Sequence, residues 1–446
     1  MYVKAVILVG GPEKGTRFRP LSLDIPKPLF PVGGVPIIQH HIEACCKIRE
    51  LKEILLIGYF PPNEFWNQFI AAQSHLHNVH IRYLQEFTAL GTAGSIYHFR
   101  DQILFRGPDC VILMNGDVCA DFRLDEMLKF HQQKQQASKA LLTIMGTEAL
   151  QTQSMNFGCI VENRETHEIR HYVEKPRTYV SSLVNCGVYI LHPEIFTMIG
   201  DIIYGKLEPG AGDDYIDLYD VAGSRRSSLV RQASLGNSGA IPSELLSLEK
   251  DVITRLARAG GAFVYHTNGW WSQIKTAGSV IYANRHYLRL YHQTHPDRLA
   301  KSGPVIIGDV YIHESAKVHP SAVIGPNVSI HANVVIGAGT RIRDAVMLDD
   351  VVTAVTDNCC ILNAIVGWGS IVGSWARIEG TPNDPNPNKP FAKLEHTPLF
   401  SEKGFLNPSI TILGANVSVP TELMVLNCIV LPRKDLAQNY KNQIIL

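Results

Sequence analysis

The sequence carries no net charge and little charge of any kind: 41 basic side chains balance 41 acidic ones, and only 18% of residues are Asp, Glu, Lys or Arg. That excludes a protein that holds nucleic acid through a global basic field. No apolar run is long enough to span a bilayer. The short run Ala5 to Val9 meets Gly10, Gly11, Glu13 and Lys14 too soon to serve as a signal peptide. The expectation is a soluble cytoplasmic chain with neither nucleic acid nor membrane as partner. Cysteine is scarce and odd in number. The nine include the adjacent pairs Cys45/Cys46 and Cys359/Cys360 inside apolar stretches, a poor basis for a disulfide ladder, so reduced thiols are expected. Neither the dinucleotide-binding glycine fingerprint nor a Walker lysine pattern is present. Acidic residues are missing altogether from Val252 to Pro296.

What remains is an ordinary globular composition, 46% hydrophobic, in a 446-residue chain long enough for two or three domains. Over residues 1–293, short β-rich runs (Ala5 to Val9, Glu53 to Ile57, Cys110 to Met114, Leu141 to Met145) alternate with helix-length segments such as Ile37 to Cys46. Strands separated by helices imply βαβ crossovers, hence an α/β, Rossmann-like domain with a mainly parallel mixed sheet and ligands at the carboxyl ends of its strands.

After a linker at 294–304 the period changes to six. Ile306, Ile312, Val318, Ile324, Ile330 and Ile336 begin an apolar row that runs every sixth residue to Ile378. A second row, four residues on, runs from Val310 to Ala376 and is small or β-branched everywhere except Asn358. Three hexads make one triangular coil, so residues 305–446 read as a parallel β-helix of hexapeptide repeats. Two stretches interrupt this order. Residues 205–246, polar and weakly periodic, read as a mobile insertion. Residues 381–407, rich in proline, read as a loop extruded from the coil, whose period returns at Val417, Leu423 and Ile429.

The first strand ends in Gly10-Gly11-Pro12-Glu13-Lys14-Gly15-Thr16-Arg17. Glycines let backbone N–H groups approach phosphate oxygens and Arg17 adds a bidentate cation, although glycine spacing alone equally fits a plain tight turn. The longer stretch Gly15 to Ser22, then Lys27-Pro28-Leu29 and Pro31-Val32, resembles the opening signature of sugar-1-phosphate nucleotidyltransferases. Leu90 to Gly94, Asn115-Gly116-Asp117, Val173 to Pro176 and Asn185-Cys186-Gly187 follow in the family's order. With the hexad coil behind it, and with His40 to Ala44 and Ile365 to Ser370, nearly the whole chain resembles GDP-mannose pyrophosphorylases. Its glycine loop and interrupted coil resemble the alpha, regulatory branch.

The resemblance implies a left-handed coil and a nucleotide-binding set of Gly10, Gly11, Gly15, Thr16, Arg17, Lys27, Gln85, Leu90, Gly91 and Thr92. It implies a sugar-phosphate set of Asn115, Asp117, Gly158, Glu174, Lys175 and Asn185, with Asp117 as a metal ligand. The family reaction joins a sugar 1-phosphate to the α-phosphorus of GTP with loss of pyrophosphate. Mg²⁺, Arg and Lys offset the crowded negative charge. From the residues alone, Asp117 and Asn185 also fit turns, and Lys27 and Lys175 fit solvated strand-end lysines before prolines. The hexad coil by itself would also suit an acyltransferase. His75, His77 and His80 have loose metal-like spacing but read as a polar linker.

Two departures from the active pattern stand out. Pro12, Glu13 and Lys14 lengthen the glycine loop by two residues. Where active members carry a second metal carboxylate, this chain has Trp271-Ser272-Gln273-Ile274-Lys275. A lone Asp117 holds Mg²⁺ weakly or not at all. The expectation is therefore a regulatory subunit that senses GDP-mannose and inhibits a catalytic beta subunit by feedback within a hetero-oligomer, with Mg²⁺ not required. The alternatives are an active mannose-1-phosphate guanylyltransferase using GTP and Mg²⁺, and a scaffold with an empty site.

Overall fold

The structure, a computed structural model, describes residues 1–11, 18–23, 25–205, 246–353, 358–382, 399–402, 404 and 406–446. Of the expectations above, those on Pro12 to Arg17, on nearly all of 205–246 and on most of 381–407 lie outside the described residues.

Nine strands form the first sheet: β1 (Val3–Gly10), β2 (Leu51–Gly58), β3 (His80–Gln85), β4 (Cys110–Asn115), β5 (Leu142–Glu148), β6 (Gly158–Glu162), β7 (Ile169–Glu174), β8 (Leu183–Leu191) and β9 (Ala262–His266). The order is β7-β6-β8-β4-β1-β2-β3, with β5 pairing β8 and β9 pairing β5. β1, β2, β3 and β4 are parallel, whereas β8 runs antiparallel to β4, β5 and β6. Period two explains why the sheet is covered on both sides. Val3, Ala5 and Ile7 enter one apolar layer, and Val6 and Leu8 enter the other. Lys4, fully buried beside them, is satisfied by Glu53 at 2.8 Å and by the Gln102 carbonyl, which accepts from it at 2.9 Å.

The helix Glu64–His77 begins at Asn63, whose side chain accepts from the Trp66 N–H at 2.8 Å, and ends at Asn78 in the left-handed conformation. His75 and His77 therefore sit on a last helical turn and His80 opens β3, rather than sharing a polar linker.

From Val305 onward the chain forms a parallel coil. Residues 18 apart pair in its first turns, Val305 with Val323, Val310 with Val328 and Lys317 with Val335. The strict hexad row then drifts by one residue, as the pairs Ser329–Val346 and Arg341–Cys360 show. Met347 and Ile361 fill the coil interior, while Leu348 faces outward into a different apolar cluster. Past residue 381 the separation jumps to that of Ile371 and Ser418, after which coiling resumes in register. Thr381 N donates to the Ser409 carbonyl at 3.0 Å, so the two stems of the excursion lie side by side.

The helix Ser279–Thr294 joins the two halves. Val280, Asn284, Tyr287 and Tyr291 recur at helical spacing and are buried. Val280, Ile281 and Tyr287 share one cluster with Phe30 and Val32 on one side and with Val346, Leu348 and Ile365 of the coil on the other. Asn284 is fully buried at the centre: its side-chain oxygen accepts from Gly33 N at 2.9 Å and from Ser329 Oγ at 2.6 Å, and its amide donates to the Asn327 carbonyl at 3.3 Å. Beside it Gly34 (φ +90°) lies against the Tyr311 ring, where a Cβ would come within 2.6 Å of ring carbons. Arg298 grips Glu43 with two hydrogen bonds, 2.9 and 3.2 Å.

All nine cysteines are free; Cys46 and Cys360 are half-buried and the others buried. Among the described residues no helix is long and apolar enough to cross a membrane.

Asn284→Ala strands the Gly33 N–H and the Ser329 hydroxyl without their acceptor, and should cost about 2–3 kcal/mol. Ser329→Ala, which removes one donor with its bond, should cost less. Urea midpoints of the two variants against the parent check the order.

Candidate functional site

The expected site residues that are described gather at the sheet edge formed by the carboxyl ends of its parallel strands, in two adjoining spaces. Asn115, Gly158, Glu174, Lys175 and Asn185 line a cleft of about 260 Å³ together with Gln273 and Lys275. Gly10, Gly11, Leu90, Gly91 and Thr92 line a smaller recess of about 50 Å³, bounded also by Glu86 and Ser95. Gln85 closes β3 next to that recess. Gly15, Thr16 and Arg17 lie outside the described residues.

Asp117 stands between β4 and the short strand Val118–Ala120, which pairs antiparallel with Trp271–Gln273. The register sets Gln273 opposite Val118, and so brings its amide onto the carboxylate. Gln273 Nε2 donates to Oδ1 at 3.0 Å and to Oδ2 at 3.2 Å, and Lys27 Nζ approaches Oδ2 at 3.1 Å. Burial by itself would push the Asp117 carboxyl up. The Lys27 charge, the hydrogen bonds from Gln273 and Lys27 and the more distant Lys275 charge together outweigh it, so the group sits below the ordinary carboxylate range. Lys275 Nζ stands 4.2 Å from the Phe157 ring centre and donates to the Asn156 carbonyl at 3.2 Å. Trp271 is anchored through its indole N–H to the Cys186 carbonyl at 2.8 Å.

The sugar-phosphate side is a connected polar network. Asn185 donates from Nδ2 to the hydroxyls of Tyr172 (3.1 Å) and Tyr189 (2.9 Å), and accepts from Gly187 N at 2.8 Å. Tyr172 donates to Glu174 at 2.9 Å, and Glu174 pairs with Lys175 at 3.4 Å. Tyr189 donates to Glu249 at 3.3 Å, and the other Glu249 oxygen accepts from Thr92 (2.9 Å) and Ser247 (2.8 Å). Burial, followed by the neighbouring phenol and carboxylates for Tyr172 and by Glu249 for Tyr189, raises both phenols well above their usual value, so both remain donors. Through Thr92 and Glu249 the recess and the cleft form one hydrogen-bonded unit. Gly91 (φ +79°) has no room for a Cβ against the Leu246 backbone, whose carbonyl accepts from Ala93 N at 3.0 Å.

Sequence reasoning missed Tyr172, Tyr189 and Glu249. The tyrosines are interior members of β7 and β8, and Glu249 lies on a π-helical turn, Leu248–Ile253, far from every motif. No local signal distinguishes them.

Mg²⁺ does not fit the residues present. Both oxygens of Asp117 are taken by an amide and an ammonium, while Glu174 and Glu249 are engaged by donors of their own. A hard cation that keeps near-ideal octahedral oxygen coordination finds no unengaged carboxylate among Asp117, Glu174 and Glu249. What the arrangement offers instead is a set of ammonium groups, Lys27, Lys175 and Lys275, in and beside a cleft that also holds the engaged carboxylates Glu174 and Glu249.

Residues 4–288 match the family model described as Nucleotidyl transferase, and residues 306–445 match the one described as GMPPB C-terminal domain. The chain is 54% identical over 447 residues to "Mannose-1-phosphate guanylyltransferase regulatory subunit alpha-B" of Danio rerio. It is equally close, at 54%, to the "regulatory subunit alpha" of Xenopus tropicalis, and 50% identical to that of Homo sapiens. Each alignment covers 100% of both chains.

Gln273→Asp combined with Lys275→Gly places a second carboxylate at Asp117 and removes a competing cation. The double variant should bind Mg²⁺ at least about tenfold more tightly than the parent, the equivalent of ~1.4 kcal/mol. Adding Asp117→Ala should erase the gain. Calorimetric Mg²⁺ titration of the three proteins is the check.

Proposed function

The chain belongs to the nucleotidyl transferase family, among the regulatory alpha subunits of mannose-1-phosphate guanylyltransferase, and from that premise we propose that it binds GDP-mannose without turning over substrates. In this reading it reports GDP-mannose to a catalytic beta subunit as feedback inhibition, within a hetero-oligomer. The observation that carries the reading is the occupied carboxylate: Asp117 is held by Lys27 and Gln273, in the position where a metal would be needed.

Charge decides between product and substrates. GDP-mannose brings a diphosphate, which Lys175 and Lys275 in the cleft can meet directly. GTP together with mannose 1-phosphate brings several more negative groups at close range, and without a metal their repulsion is not offset. The recess at Leu90 to Thr92 suits the base, and the cleft at Glu174, Lys175 and Asn185 suits the sugar and its phosphate. Such a pocket regulates only if the two assembly states bind GDP-mannose differently, since the coupling energy is that difference. The hydrogen-bonded path from Thr92 through Glu249 to Asn185 gives the bound ligand a hold on several strands at once. The loop spanning 381–407, whose stems are clamped to the coil, is the contact to the partner that this reading favours.

Calorimetry with GDP-mannose should show binding by the purified chain without Mg²⁺. Lys175→Ala should weaken it by roughly 10–100-fold, the size of a charge-assisted hydrogen bond. With GTP, mannose 1-phosphate and Mg²⁺ the same protein should turn over far below about 1 s⁻¹; an ordinary rate would favour the active guanylyltransferase. No GDP-mannose binding at all would favour the scaffold.

Replacing the 381–407 loop by a short Gly-Ser turn should leave the coil folded and abolish the response of a catalytic partner to GDP-mannose. Thermal melts and a reconstituted assay measure the two parts.

A further inference from the structure

On the edge of the first sheet, away from the lysines, a carboxylate and two imidazoles converge. Glu162 ends β6 and His266 ends β9. His167 lies in the turn between β6 and β7 with a left-handed backbone, φ +59°. His266 Nε2 is 2.7 Å from one Glu162 oxygen, and His167 Nδ1 is 3.0 Å from the other. One ligand atom from each residue lies within 4.8 Å of the other two. The Glu162 side chain is only 12% exposed, whereas His167 and His266 are 38% and 37% exposed. The carboxylate is thus fixed from within and the two rings open a path to water.

The backbone around the group is set in advance. His167 N donates to the Asn163 carbonyl and Asn163 N to the Glu168 carbonyl, both at 2.8 Å, and Val264 N donates to the His167 carbonyl at 2.9 Å. The Phe130 ring stands 6.1 Å from that of His167, and the two imidazoles are 5.3 Å apart, centre to centre. Lys134, the ammonium of the adjoining helix, donates to the Thr166 carbonyl at 2.8 Å. None of these residues contributes to the cleft, the recess or the junction with the coil.

We propose that Glu162, His167 and His266 form a binding site for a divalent d-block cation of the Zn²⁺ class, completed by solvent. Two imidazole nitrogens and one carboxylate oxygen are a borderline-soft donor set, suited to Zn²⁺ and its neighbours, whereas Mg²⁺ and Ca²⁺ call for oxygen alone. Tetrahedral metal–ligand distances of about 2.0–2.2 Å set ligand atoms roughly 3.4 Å apart, so the 4.8 Å span of the three atoms has to contract by about an ångström, within reach of rotation of the two partly exposed rings. In the metal-free protein each ring directs its N–H at Glu162. Binding moves that proton to the ring's other nitrogen, or releases it where the imidazole is charged. The metal would then tie three chain segments together. β6 starts at the cleft residue Gly158, and β9 leads within a few residues to Trp271 and Gln273.

The test uses the full-length chain after chelator treatment, titrated with Zn²⁺ by calorimetry and with Co²⁺ by visible absorption. The parent should bind one equivalent with a Kd on the order of micromolar or tighter, and Zn²⁺ should raise its melting temperature. His266→Gln keeps a side-chain donor for Glu162 yet cannot complete the set, and His167→Asn does the same for the turn. Each should weaken binding by more than about tenfold, since even changes outside the ligand shell cost that much, and should abolish the Zn²⁺-dependent rise in melting temperature. Melts without metal verify that both variants are folded. If the parent binds no such equivalent, or if both folded variants bind Zn²⁺ as tightly as the parent, the site is overturned.

Discussion

The helix Ser279–Thr294 must bury two faces at once, and the relation between the halves depends on that constraint. One face meets Phe30 and Val32, the other meets Val346, Leu348 and Ile365, and the buried Asn284 amide takes hydrogen bonds from both sides. Apolar contact alone would permit the coil to slide along the helix at small cost, because hydrophobic attraction is not directional. A buried amide does not permit it, because a shift leaves polar groups unpaired. The strand Trp271–Gln273 lies a few residues before this helix, so the position of Gln273 at Asp117 is tied to the seating of the coil.

The cleft shows how a single carboxylate, Asp117, is engaged from two sides by side chains far apart in the sequence. An ammonium and an amide engage both oxygens of that carboxylate, and Lys175 and Lys275 line the cleft. The buried tyrosines and Glu249 keep the pocket walls rigid through bonds among themselves, so the site's shape does not rely on a metal to assemble it.

Much of this was legible in the sequence, for physical reasons that differ by region. The coil was visible because every inward position faces the same volume limit, which filters residues into rows. Its drift at Met347 and Leu348 was not, because a residue packed outward beneath the junction helix is as apolar as one packed inward. Positions carried by motifs, such as Asn115, Lys175 and Asn185, do meet in one cleft. The contact between Lys27 and Asp117, and that between Asp117 and Gln273, depends on the sheet order and on the two-stranded ribbon, which no local pattern encodes. Glu249 had no signature because its role comes from Thr92, Ser247 and Tyr189, two of which are distant in sequence.

The burial of the thiols has a practical side. Burial first, with nearby charges added, lifts Cys46 to about 11 and Cys110 and Cys119 to about 12, far above neutral pH. The reactive thiolate is therefore scarce at every one of these positions. The native protein is accordingly a quiet background for maleimide dyes or spin labels: a single cysteine introduced on the surface would react long before its own do. Distances between the two halves, or between this chain and another, could then be read by fluorescence transfer without first stripping out the natural cysteines.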